Sequence, residues 1–141
     1  MKLRLNLIAL AALAFCGGGM ARAQVVGGLQ SCGVHSVTGA FAFLNRGTLP
    51  DKSNALFVGV MVFDGVGGVY ASNTGNAGGV VFRDGGSKVS YTLNRDCTGT
   101  LTFVFPQGTV HWDIVVADSG KRILGIMTDP GPAFSMEAYR Q

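Results

Sequence analysis

Residues 89–129 read VSYTLNRDCTGTLTFVFPQGTVHWDIVVADSGKRILGIMTD, and this stretch decides the fold. Val89, Tyr91 and Leu93 alternate with Ser90 and Thr92. Asn94-Arg95-Asp96 is turn chemistry, and Leu101, Phe103 and Phe105 then alternate with Thr98, Thr100 and Thr102. Pro106-Gln107-Gly108 turns the chain again. Val110, Trp112, Ile114 and Val116 follow on one face, and Asp118-Ser119-Gly120 leads back into Lys121 to Thr128. An apolar period of two, broken every eight to ten residues or so by Gly, Pro, Asn and Asp, is the pattern of antiparallel strands with one dry face each.

Outward from this stretch the pattern continues. Val37 to Phe43 reads as a strand with Phe41 and Phe43 on one face, and Asn45-Arg46-Gly47 and Leu49-Pro50-Asp51 as turns. Ala55 to Phe63 is the most apolar run and reads as a buried strand. Asp64 to Gly68 is a hairpin loop, and Val69 to Thr74 returns. Gly75 to Gly79 reads as loose, Val80-Val81-Phe82 as a short strand and Asp84-Gly85-Gly86 as a turn. Asp129-Pro130-Gly131-Pro132 ends the pattern, and the last nine residues form a tail or a short final strand. No stretch holds a helical period over three turns. The expectation is an all-β chain of about eight strands, closed as a small antiparallel up-and-down barrel rather than paired into a sandwich. Closure removes the sheet edges, and eight strands leave room for side chains or one small ligand.

The first 23 residues read as an export leader. Met1-Lys2-Leu3-Arg4 is basic, Leu5 to Phe15 is an apolar core too short to span a bilayer, and Ala21-Arg22-Ala23 is an A-x-A cleavage site. Cys16 does not make a lipoprotein site, which wants a small residue where Phe15 stands. Lys2, Arg4 and Arg22 account for three of the 11 basic residues, so cleavage after Ala23 leaves as many bases as the 8 acids. The basic balance therefore belongs to the leader and is no argument for nucleic acid. A single domain spans residues 24–141, with Gln24 to Ser31 as a lead-in. It keeps two cysteines, Cys32 and Cys97, which in a periplasmic or secreted chain read as one disulfide; two free thiols are the alternative. Closing that loop is worth roughly 4 kcal/mol in the chain-entropy model.

Tyr91-Thr92-Leu93-Asn94-Arg95-Asp96-Cys97-Thr98-Gly99-Thr100-Leu101-Thr102 is one motif of a recognisable set. His111-Trp112-Asp113-Ile114-Val115-Val116-Ala117-Asp118-Ser119-Gly120-Lys121 and Thr128-Asp129-Pro130-Gly131 complete it. The set resembles exported bacterial proteins of the allene oxide cyclase barrel-like, calycin-like group, tightly over 91–131 and loosely over the rest. The chain departs from that group at Lys88-Val89-Ser90, where the group carries Ser-Gly-Thr, and at Gly39-Ala40-Phe41 in place of Gly-Thr-Tyr. The resemblance implies a small antiparallel barrel. Some members act as cyclases by shaping an apolar pocket, and no catalytic residues carry over.

Candidate chemistry is sparse. His111 and Asp113 share a strand face, as do Thr100 and Thr102 on the neighbouring strand. If that face lined the lumen, His111 or Asp113, or Tyr91 nearby, could serve as a general acid or base. The other phase puts Leu101, Phe103, Trp112 and Ile114 inside and makes Phe103 and Trp112 the candidate ligand contacts. His35 and His111 stand too far apart in sequence to suggest a metal site. There is no G-x-S-x-G elbow, and no helix follows the paired glycines to hold a phosphate. No cofactor, nucleic acid or stable membrane insertion is expected. A small apolar ligand is the expected partner, an enzyme or a filled structural barrel the alternatives, and the oligomeric state is left open.

Overall fold

The computed structural model describes residues 31–141. The leader, its cleavage after Ala23 and the lead-in to Gln30 lie outside the described residues. After a 3₁₀ turn at Val34–Ser36 come eight strands: β1 (Gly39–Thr48), β2 (Asn54–Phe63), β3 (Gly68–Ala77), β4 (Val80–Leu93), β5 (Thr98–Phe105), β6 (Gly108–Ala117), β7 (Arg122–Met127) and β8 (Ala133–Arg140). Each pairs antiparallel with the next, and β8 returns to β1, so the sheet closes in the order of the sequence. The expected barrel is the observed one.

The alternation read from residues 89–129 is the alternation of burial. Leu101, Phe103, Trp112, Ile114 and Val116 are buried, while Thr100, His111, Asp113 and Val115 are exposed. The interior gathers Phe41, Met61, Phe63, Tyr91, Leu101, Ile114, Ile123 and Met136 into one core. Ring contacts tie it: Phe63 meets Phe41 at 5.2 Å and Tyr91 at 5.1 Å, both edge to face.

Four local expectations are corrected. Asn45-Arg46-Gly47, read as a turn, continues β1, because β2 and β8 pair with these residues from both sides. The nominal loose segment after Thr74 continues β3 to Ala77, and the turn proper is Gly78-Gly79. Val80-Val81-Phe82 and Val89 to Leu93 belong to one strand, β4, and Asp84-Gly85-Gly86 is a bulge within it: the register against β3 slips between Ala71 and Asn73. Of the two readings of the last nine residues, a tail or a short final strand, the strand is observed: β8 closes the barrel against β1. The run Ala55 to Phe63 is also dry on one face only. Leu56 and Val58 point outward and are about half exposed, at 51% and 57%. A single-walled barrel offers each strand only one interior, whatever its composition.

The hairpin loop at 64–67 is built on Asp64. Its Oδ1 accepts the N–H groups of Val66 and Gly68, both at 2.8 Å, and these bonds hold the carboxyl below its ordinary range. Asp96 is lowered in the same way by the Thr98 hydroxyl and then the Thr98 N–H. A group whose folded pKa is depressed contributes stability above its unfolded pKa and loses it as pH falls through the folded value. The protein is therefore expected to lose stability below about pH 4, the ordinary carboxylate range. Asp64→Asn should flatten that acid limb in urea titrations repeated from pH 7 to pH 2.5; an unchanged pH slope would count against this origin.

Candidate functional site

The two ends of the barrel differ. At the lower end sit the loops β2–β3, β4–β5 and β6–β7 together with residues 32–38. Those residues fold under the barrel as a plug. Cys32 is disulfide-bonded to Cys97, with Cα atoms 4.9 Å apart, and its N–H donates to the Arg95 carbonyl at 3.1 Å. Val37 is fully buried. The Tyr91 hydroxyl lies at 2.6 Å from the Val34 carbonyl, to which it donates, with the Val37 carbonyl at 3.3 Å. Burial, and then the charge of Asp64, raise its pKa. Arg140 stacks on the Phe41 ring at 5.1 Å and donates from Nε to the Gly120 carbonyl at 3.3 Å. Tyr91→Phe should cost about 1–2 kcal/mol in urea unfolding, because it strips a buried carbonyl of its donor. A change within error would show that the plug does not depend on this bond.

The upper end is open. A cavity of about 1330 Å³ enters it between the loops β1–β2, β5–β6 and β7–β8. One wall is apolar: Phe103, Phe105, Val110, Trp112, Met127 and Phe134. Aromatic rings set the rim, with Phe57 edge to face against Phe82 at 5.4 Å and Phe134 at 5.7 Å. Gly75 makes room for that cluster; a Cβ there would stand 2.6 Å from Phe82 and 2.7 Å from Phe57.

The opposite wall is polar and follows from the bulge. Below it Ser87, Val89 and Tyr91 face inward; above it Phe82 and Asp84 do. A one-residue slip exchanges the faces of a strand. The Tyr70 hydroxyl fixes the bulge by donating to the Gly85 carbonyl at 2.5 Å. It passes so close to Gly86 that a Cβ there would lie 2.1 Å from the oxygen. The Ser87 hydroxyl donates to Asp84 Oδ2, and the Gly86 N–H lies 3.2 Å from Oδ1. Asn73 pairs across from Asp84, and Asn45, 9% exposed, lines the same cavity. Asn45 Oδ1 and Asn73 Oδ1 are buried and accept no hydrogen bond among the described residues. The bulge also frees β4 from β5: their pairing spans only Val89–Leu93, so the cavity continues into a cleft flanked by Lys88, Ser90 and Val104.

The sequence candidates divide sharply. Phe103 and Trp112 face inward and line the cavity. Tyr91 is inward but lies at the plug, with its hydroxyl engaged. His111 and Asp113 are outside. His111 Nδ1 sits 2.9 Å from Asp129 Oδ1, and the backbone N–H of His111 donates to Oδ2 at 2.6 Å; the two contacts hold Asp129 below the ordinary range. Asp113 faces solvent across from Thr100, whose hydroxyl bonds that of Thr92 at 2.8 Å. Among the described residues no three His, Cys, Asp or Glu side chains gather as a metal site. No described helix is long and apolar enough to cross a membrane. Asn45, Asn73, Asp84 and Ser87 were not singled out in the sequence. The paired glycines Gly85-Gly86 inside a strand-like segment were the available signal for a bulge.

These features define a small closed β-barrel with one plugged and one open end. No protein-family profile matches the chain, and no curated protein matches it in sequence. Two solved structures share the fold. A de novo designed fluorescence-activating β-barrel is 14% identical, with a TM-score of 0.50 over 77% of this chain and 96% of the other. The S-type phycobiliprotein lyase CPES of Guillardia theta is 11% identical, with a TM-score of 0.50 over 77% of this chain and 90% of the other.

Proposed function

We propose that the protein is an exported binding barrel that holds one small, mainly apolar molecule in its open half. The observation that carries this reading is the cavity walled by Phe103, Phe105, Trp112, Met127 and Phe134 above a packed, plugged floor. Both structural neighbours, named for fluorescence activation and for a phycobiliprotein, are compatible with a small-molecule role for this fold. The disulfide fits a compartment outside the cytoplasm, in line with the leader read at residues 1–23.

Cyclase or isomerase chemistry, as in the allene oxide cyclase-like group, is the second reading. It draws support from the motifs at 91–131 and from a barrel able to template a substrate. Its polar candidates do not help it, since Tyr91 serves the plug and His111 and Asp113 point away from the lumen. A filled, structural barrel is disfavoured by the open cavity.

Trp112 is the one tryptophan of the chain and lines the cavity. Titration with the neutral probe N-phenyl-1-naphthylamine should give saturable one-to-one binding with quenching of Trp112 by energy transfer. Absence of saturable binding by this probe and by other apolar probes of similar size would defeat the binding reading.

A further inference from the structure

We propose that the outer face of β1 and β2 is the contact surface of a homodimer, formed with a second copy of this chain about a two-fold axis that passes between Ala42 and Val60. The proposal goes beyond the binding reading and does not rest on it. It starts from β2, whose outward residues are Leu56, Val58, Val60 and Val62; Leu56 is 51%, Val58 57% and Val62 44% exposed. Their inward neighbours Ala55, Met61 and Phe63 are buried, so the strand is apolar on both faces. Strands of that composition are ordinarily covered on both faces, and the barrel covers one. On β1 the outward residues Ala40, Ala42 and Leu44 pair with Val62, Val60 and Val58, so the apolar face is two strands wide and carries no charge within these limits. The far wall is built differently: Lys88, Ser90, Thr92, Thr100, His111 and Asp113 stand outward on β4 to β6. An apolar face confined to one side of an otherwise polar surface marks an interaction site.

Three features select a second copy as the occupant. The first is relief. The branched side chains of β2 stand beside Ala40 and Ala42, so the face has a ridge next to a trough. A two-fold axis between Ala42 and Val60 seats the ridge of each copy in the trough of the other: Val58 over Ala40 and Val60 over Ala42, twice, as an isologous contact requires. The second is charge. Arg46 lies four residues beyond Ala42 toward the upper end of β1, and Asp64 four residues beyond Val60 at the lower end. The same axis therefore brings Arg46 opposite Asp64 of the second copy. Both are exposed, and neither forms a salt bridge with another described residue. Opposite charges at the two ends of one face favour this register and oppose a parallel one. The third is area. The face with its rim offers roughly 500 Å² per copy, so a pair buries about the 1,000 Å² that a specific but small interface needs.

Sedimentation velocity of the exported chain over a concentration series tests this. A reversible monomer–dimer equilibrium is expected, with a dissociation constant of micromolar order. Val58→Lys should weaken the dimer at least about tenfold, since it buries an unpaired charge at the contact, while far-UV circular dichroism stays that of the barrel. Leu44→Lys, on the other strand of the face, repeats the test if Val58→Lys fails to fold. Arg46→Glu should weaken the dimer by a smaller factor that shrinks with added salt. Ile126→Lys, on the apolar outward phase of β7, should leave the dimer unchanged. A wild type that stays monomeric at the highest concentration overturns the proposal, as does a species larger than a dimer. So does a dimer that survives Val58→Lys and is dispersed by Ile126→Lys. A monomer that instead sediments with phosphatidylcholine vesicles, and loses them in Val58→Lys, assigns the face to a bilayer and overturns the proposal as well.

Discussion

Replacing both Cys32 and Cys97 with serine is expected to lower the free energy of unfolding by about 4 kcal/mol. The bridge spans 65 residues of sequence and closes a loop containing β1 to β4, so its loss frees a large part of the unfolded chain. Against a typical total of about 5–15 kcal/mol, this is enough to leave the domain marginal. The bridge also ties the plug to the β4–β5 turn, where the Asn94 carbonyl accepts the Cys97 N–H and the Cys97 carbonyl accepts the Val116 N–H. Cys97 has a φ of +68°, and serine inherits that backbone, so the substitution removes the bond without relieving the turn. Urea unfolding of the double variant, beside the wild type with and without reductant, measures the effect. The reduced wild type should match the variant. A loss below about 1 kcal/mol would show that the bridge constrains little.

The second large effect separates the floor of the barrel from its mouth. Phe41→Ala should cost about 3–5 kcal/mol, because Phe41 is fully buried between Phe63 and the Arg140 guanidinium. Phe105→Ala, at the wall of the open half and stacked on Phe103 at 6.1 Å, should cost about 1 kcal/mol. The first ring leaves a hole in a packed interior; the second leaves a wider cavity that is already open to water. Similar losses for both, read from urea midpoints at equal slope, would mean that the upper half is packed as tightly as the lower.

The contrast between the halves also shows what the sequence could reveal. Residues 89–129 were legible because each strand there keeps one phase from turn to turn. Phe103 and Trp112 on one face and His111 and Asp113 on the other followed from that ground alone; which face lines the interior came from the closed sheet, in which Phe103 and Trp112 are buried and His111 and Asp113 exposed. The β3–β4 hairpin was not legible in the same way. Its bulge at Gly85-Gly86 puts Phe82 and Asp84 on the same side as Ser87 and Val89, so no single period of two describes it. Asn45 and Asn73 were hidden for another reason. Asn reads as turn chemistry, and only pairing with strands distant in sequence shows these two lining a cavity. Which end is plugged also depends on residues 32–38 folding under the barrel. The cysteine pair implied a tie there but not the donation of the Tyr91 hydroxyl to the Val34 carbonyl.

The central claim is that the ligand sits inside the open half, not on the apolar outer surface. Chemical-shift mapping with ¹⁵N-labelled protein and N-phenyl-1-naphthylamine tests it most directly. The account predicts the largest shifts at the Trp112 indole and at the amides of Asn45, Asn73, Ser87 and Phe103. Shifts confined to Leu56, Val58, Leu124 and Ile126 on the outer face would contradict it.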